Sequence, residues 1–315
     1  RTVYSAEGSS LSIRAMVFLA MQDARKRGKT PRIAAGRNAH KVFITAAALL
    51  DVQVQWLYPA QTGSLLTCQI TPETLEEALG QGEPVTAVYI TSPDYLGNVA
   101  DISGLSRVCR RYGCLLLVDN AHGAYLGFLP GGQHPMAQGA DMCCDSAHKT
   151  LPVLTGGGYL HISSHAPGEL DSMADSAMAL FASTSPSYLI LQSLDAANGI
   201  LDGSWKRALH HAAAEWAAVK QHIGDLGFCL TGQEPLKLTV MPAKFGYTGE
   251  QLAELLEGKN IYCEFADPDY LVLMLPVEYD PALPRRICAA FEAIAPRETA
   301  PSIVQRHSTR TWVMP

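Results

Sequence analysis

The chain has 315 residues, 48% hydrophobic and 17% charged, with a formal net charge of −6. That length holds one large core, or a large domain with a smaller companion, and the acidic balance argues against a general nucleic-acid binder. The eight cysteines, at 68, 109, 114, 143, 144, 229, 263 and 288, form no Cys-x-x-Cys pair and no zinc-finger spacing with histidine. They read as small buried hydrophobes of a reducing cytosol, with no disulfide framework and no resident metal. No signal peptide and no apolar run of membrane-spanning length is visible, so a soluble, cytoplasmic protein that binds no membrane is expected. The chain lacks an initiator Met and stops at Thr311-Trp312-Val313-Met314-Pro315 without a closing element. Both ends read as cut, and the sequence as part of something longer.

In chain order, Ser10 to Lys26 is apolar at helical spacing after a Gly-Ser-Ser turn. Arg32 to Ala35 is a short apolar run, Lys41 to Leu50 reads as a helix and Val52 to Leu57 as a strand. Thr71-Pro72-Glu73 starts a helix with acids in its first turn, which suits the helix dipole. Val85 to Thr91 reads as a buried strand, Ile102 to Tyr112 as a helix, and Cys114 to Val118 as a strand ending abruptly at Asp119. Met142-Cys143-Cys144 is a further short strand. Strand, helix, strand at these spacings implies an α/β domain with a mainly parallel sheet covered on both faces.

From Ser187 the pattern turns helical, with Tyr188 to Ile200 and Trp205 to Ile223 as long amphipathic helices. Leu236 to Met241 and Tyr270 to Leu275 read as strands, with helices at Thr248 to Leu256 and Pro284 to Ile294. The division expected is a large domain over 1–203 and a smaller α+β domain over 204–315, incomplete at its end.

Two reactive side chains stand at strand ends, where open α/β sheets place their ligands. Asp119 follows Leu115-Leu116-Leu117-Val118, and Lys149 follows Met142-Cys143-Cys144 through Asp145-Ser146-Ala147-His148. A lysine that forms an imine with an aldehyde cofactor, and an aspartate that keeps a pyridine nitrogen protonated, are the minimum equipment for pyridoxal-phosphate chemistry. Taken singly, each reads more readily as structural, a surface lysine and a strand-end acid that caps a helix. Gly8-Ser9-Ser10 opens the first helix and can cradle a phosphate or simply cap the helix. Ser146 and His148 flank the lysine and could hold the same phosphate. His40 could stack on a flat ring, although a lone histidine is more often structural.

Six segments, in order, resemble the Orn/Lys/Arg decarboxylase family of fold-type-I pyridoxal-phosphate enzymes. They are Gly8-Ser9-Ser10, Arg37 to Lys41, Thr91 to Gly97, Asp119-Asn120-Ala121-His122-Gly123-Ala124, Asp145 to Pro152, and Ser183 to Tyr188. The Ser-x-His-Lys element is the most specific. The resemblance implies a fold-type-I large domain with a seven-stranded sheet and a smaller C-terminal domain. It implies pyridoxal 5'-phosphate held by Lys149 as a Schiff base, Asp119 on the ring nitrogen, His40 on one ring face and Ala121 on the other. Ser9, Ser10, Ser146 and His148 would bind the phosphate, and His122 would stand near the substrate, where larger family members often carry another aromatic residue. Ser183 and Thr184 would reach a neighbouring subunit's site, which implies a homodimer or higher homo-oligomer. The activity implied is decarboxylation of lysine, ornithine or arginine. An aminotransferase or lyase on the same fold, and an inactive cofactor-binding homologue, remain open as readings.

Overall fold

The computed structural model describes residues 1–59 and 64–298; the terminal stretch at 311–315 lies outside them. Within the described residues the chain divides into two compact units, 1–212 with 276–278, and 213–275 with the chain from Tyr279 onward.

The first unit is built on a seven-stranded sheet. Its strands are β1 (Thr2–Ser5), β2 (Arg32–Gly36), β3 (Gln53–Leu57), β4 (Ala87–Thr91), β5 (Leu115–Asp119), β6 (Met142–Asp145) and β7 (Gly158–Ile162). They lie side by side in the order β1-β7-β6-β5-β4-β2-β3. From β3 to β6 every pairing is parallel, whereas β7 runs antiparallel to both of its neighbours. Six helices accompany the strands: α1 (Gly8–Lys26), α2 (Lys41–Leu49), α3 (Pro72–Gln81), α4 (Ile102–Tyr112), the one-turn α5 (Ala147–Thr150) and α6 (Gly168–Phe181).

Successive strand residues alternate between the two faces. Ile33, Ala35, Tyr89, Leu117 and Cys144 pack beneath α1, α2 and α6, while Ala34, Val88, Leu116, Val118 and Cys143 pack against α3 and α4. Because both faces are covered, β4, β5 and β6 are apolar up to the polar residue that ends each of them, and this continuity makes them readable as strands. The strand β7 and the helix α6 have no counterpart in the elements expected from the sequence. The buried stripe of α6 is Leu170, Ala174, Ala177 and Met178, and β7 alternates Leu160 and Ile162 with Tyr159 and His161 on its other face.

Two long helices follow, α7 (Tyr188–Ile200) and α8 (Lys206–Asp225). They are separated by a wider turn over Leu201–Trp205 in which Gly203 leaves helical geometry. The second unit has a four-stranded antiparallel sheet, ordered β10-β11-β9-β8, made by β8 (Cys229–Thr231), β9 (Lys237–Met241), β10 (Phe265–Ala266) and β11 (Leu271–Met274). Two helices complete it, α9 (Gly249–Glu257), which starts with a reciprocal Thr248–Gln251 capping box, and α10 (Leu283–Glu292). Its core centres on Phe228, stacked on Phe245 at 3.9 Å and meeting Phe291 edge-on at 5.1 Å. All eight cysteines are free, five of them buried. No helix among the described residues is long and apolar enough to cross a membrane.

Candidate active site

A cavity of about 210 Å³ opens over the carboxyl ends of β4 and β5. Asp119, the last residue of β5, is only 2% exposed yet lines it. Its carboxylate is fixed by three donors. The Tyr89 hydroxyl donates to Oδ2 at 2.9 Å, the Ala121 amide to Oδ1 at 3.2 Å, and the Cys144 thiol to Oδ1 at 3.6 Å. Tyr89 is itself held by stacking on Phe43, with ring centroids 4.2 Å apart. Burial and the nearby Asp119 charge push the Tyr89 hydroxyl and the Cys144 thiol well above their ordinary values, so both remain protonated donors.

Lys149 reaches the same cavity from α5, directly after β6. Its Nζ stands 3.1 Å from His122 Nε2, and Tyr95 meets the His122 ring edge-on at 5.7 Å. His40, the N-cap of α2, sits exposed at the rim and accepts from the Val42 amide through Nδ1. Partial desolvation of its ring lowers its pKa, partly offset by Asp119 and reinforced by Lys149, which favours the neutral imidazole. Ala121, Ser9, Asn38 and Thr91 complete the polar and small part of the lining; Leu65 and Leu66 supply an apolar side.

The start of α1 forms the other wall. Glu7 at its N-cap makes no capping bond, and Gly8 takes a left-handed φ of 63° that turns the chain into the helix. The Ser146 hydroxyl donates to Ser9 Oγ at 2.8 Å, joining the segment before Lys149 to the helix N-terminus. His148 lies over Gly8, its Nδ1 2.8 Å from the Gly157 carbonyl. An uncapped helix start beside two hydroxyls, with room made by a glycine, is a suitable seat for an anion. Gly158 is part of this seat. A Cβ there would come within 2.7 Å of the Gly8 carbonyl carbon and 2.8 Å of the Asp145 carbonyl oxygen, both backbone atoms that cannot rotate away. Gly158→Ala is therefore expected to cost about 3 kcal/mol in urea unfolding, the upper range for overpacking, and to loosen the Ser9–Ser146 contact.

Of the residues expected from the sequence, Ser9, His40, Asp119, Ala121, His122 and Lys149 line this one cavity, and Ser146 and His148 adjoin it through α1. Ser10 sits in the first turn of α1 but is outside the lining. Ser183 and Thr184 are exposed and do not line it; the Ser183 amide donates to Glu7 Oε1 at 2.9 Å, just outside the start of α1. Sequence reasoning passed over Tyr89, Tyr95 and Asn38, whose proximity depends on pairing of distant segments.

It also passed over a second group, on the opposite face of β6. There the Asp145 carboxylate, 3% exposed, has Oδ2 at 3.0 Å from both His134 Nε2 and His161 Nε2. Its Oδ1 accepts from the Asn120 side-chain amide at 2.7 Å. Burial by itself would raise the Asp145 pKa, but His134 and His161 outweigh it and hold the group well below the ordinary carboxylate range. The sign follows: stability from Asp145 is fully present above the unfolded carboxylate pKa of about 4 and is lost as pH falls below it. The difference in unfolding free energy between the native chain and Asp145→Asn is thus expected to be constant near neutrality and to shrink below about pH 4, as read by urea titrations across pH.

The sheet order, the strand-end aspartate and the lysine after the next strand define a fold-type-I α/β architecture. Residues 1–234 match the major domain of the Orn/Lys/Arg decarboxylases, and the chain belongs to that family. It is 33% identical over 254 residues to the uncharacterized protein YaaO of Bacillus subtilis, covering 76% of this chain and 52% of that protein. It is 27% identical over 284 residues to an arginine decarboxylase of Bacillus anthracis, covering 84% of this chain and 55% of that one. The chain thus spans about half the length of these curated relatives. Among solved structures, the lysine decarboxylase of Francisella novicida superposes with a TM-score of 0.75 at 17% identity, over 93% of this chain and 48% of that one.

Proposed function

We propose that this chain is the core of a pyridoxal 5'-phosphate-dependent decarboxylase that converts a basic amino acid (lysine, ornithine or arginine) to the corresponding amine and CO2. The observation that carries the proposal is the convergence of Asp119 and Lys149, from the ends of adjacent strands, on one cavity beside the uncapped start of α1. The names of the arginine and lysine decarboxylases to which the chain is similar support the choice of reaction.

The residues fit the cofactor. Lys149 would hold its aldehyde carbon through Nζ, and Asp119 would hold the proton on its ring nitrogen. His40 would cover one ring face and Ala121 the other. Ser9, Ser10, Ser146 and His148 would hold the phosphate at the start of α1. When bound, pyridoxal 5'-phosphate supplies an electron sink for the pair of electrons released at the substrate Cα. A substrate carboxylate held against the apolar part of the lining would be poorly solvated, which favours its loss as neutral CO2. His122 Nε2 is close enough to Lys149 Nζ to pass a proton to it or take one from it. Free, mostly buried cysteines support a reducing, cytoplasmic setting.

The test is direct: add pyridoxal 5'-phosphate to the purified chain, record its visible spectrum, then assay CO2 and amine release from lysine, ornithine and arginine. A bound-cofactor band with turnover on one of the three supports the proposal; a band without turnover on any of them points to a non-catalytic homologue.

We assign Ser183 and Thr184 to the site of a second copy in a homodimer, since they are exposed and outside their own chain's cavity. Mixing Lys149→Ala with Thr184→Asp, each inactive alone, is expected to restore part of the activity, because one site of each mixed dimer is then intact. Mixed dimers without recovery would count against the shared site.

A further inference from the structure

Donor atoms of His134, Cys143 and Asp145 lie within 4.8 Å of one another, a spacing that a metal ion could use. The hydrogen bonding argues otherwise. The Met136 amide donates to His134 Nδ1 at 3.3 Å, which requires the neutral ring to carry its proton on Nε2. His161 Nδ1 is 2.8 Å from the Thr2 hydroxyl, which can donate to it in the same way. Both Nε2 atoms face one carboxylate oxygen, and an ionised carboxylate only accepts. The two imidazoles therefore act as hydrogen-bond donors to Asp145, leaving no lone pair on Nε2 for a cation.

The placement of the clamped carboxylate gives it a use. Asp145 is the residue directly before Ser146, three positions before His148 and four before Lys149. Asn120, whose amide donates to Asp145 Oδ1, is the residue directly after Asp119. The Asn120 backbone amide also donates to the Cys144 carbonyl at 3.0 Å. The ends of β5 and β6 are thus cross-linked by one buried carboxylate, whose other oxygen is pinned by a loop residue, His134, and a β7 residue, His161. We propose that His134, His161 and Asn120, acting through Asp145, are positioning residues that set the spacing between the Asp119 carboxylate and the Lys149 amine. This rests on the reading of that pair as a cofactor site.

The experiment uses the full chain in three forms. Asp145→Asn has a single carbonyl oxygen and cannot accept from both imidazoles and Asn120. His161→Gln keeps an N–H donor, whereas His161→Leu does not. Leu79→Ala, in the α3 core, is the control for stability loss alone. Expected for Asp145→Asn and His161→Leu is a loss of pyridoxal 5'-phosphate affinity of at least about tenfold, with a shifted pH midpoint of the bound cofactor's visible band. His161→Gln is expected to recover most of the affinity, and Leu79→Ala to lower the melting temperature with affinity and midpoint unchanged. Nitrogen-15 spectra of the histidine rings, taken without cofactor, are expected to show His134 and His161 as Nε2–H tautomers. If the native chain binds no cofactor, the reading of the site fails, while the ring spectra still report on the clamp. If it binds and Asp145→Asn matches Leu79→Ala in every readout, the positioning role is overturned. Loss of the Nε2–H signals on adding zinc would overturn it in favour of a metal centre.

Discussion

Lys149→Ala is expected to abolish the visible band of the lysine-linked cofactor and to lower turnover by at least about 10⁴-fold, the scale on which enzymes respond to loss of a covalent group. The side chain is short of substitutes. Within the cavity lining, Lys149 is the one lysine among the described residues, and its nitrogen is placed 3.1 Å from His122. Alanine removes the amine without filling the cavity, so the Ser9–Ser146 hydrogen bond beside the start of α1 stays in place. The variant is then expected to bind the cofactor weakly and reversibly. Borohydride reduction followed by peptide mapping checks the assignment, because a reducible adduct at another lysine would move the covalent role elsewhere.

Asp119→Asn is expected to retain cofactor and lose about 10³-fold in turnover, the effect of removing one preorganised charge from a reacting centre. The amide is nearly isosteric: its oxygen can keep the Ala121 donor, and the Tyr89 hydroxyl, which donates to the other carboxylate oxygen, can turn to accept from the amide nitrogen. It bears no charge, however, and an amide cannot keep a pyridine nitrogen protonated. A variant with normal turnover would show that another group holds the ring nitrogen; the steady-state rate and the pH dependence of the visible band decide it.

The central strands and the pair at their ends were legible because burial on two faces removes ambiguity. Leu115 to Val118 has no polar residue to set a helical period, and Asp119 stands out by ending the run. Lys149 was legible for the same reason, following Met142-Cys143-Cys144 after a short polar link. The edge of the sheet was not. β1 and β7 carry Thr2, Tyr4, Tyr159 and His161 on one face, and that alternation resembles a solvated strand or a loop when its partner is unknown. The helix α6 was missed because its buried stripe is mainly alanine and methionine, which carry little periodic signal. Asn120, His134 and His161 were invisible for a different reason: each looks ordinary in its own segment, and only the pairing of β5, β6 and β7 brings them to one carboxylate.

The antiparallel β7 and the strand β1 beside it also have a consequence for when the site comes into being. Ser9 and Ser146 are separated by 137 positions, and Thr2 and His161 by 159. Contacts of such long range form more slowly than the turns of a local helix, because the loop between them has to close first. A chain still being synthesised therefore has Asp119 and even Lys149 before it has β7 to hold β1, and without β1 the start of α1 has no anchor beside the lysine. The Ser9–Ser146 contact closes once Thr2 to Ser5 pair with Gly158 to His161. Cofactor capture accordingly reports complete folding of the first unit, and partly folded chains are expected to leave the aldehyde unbound.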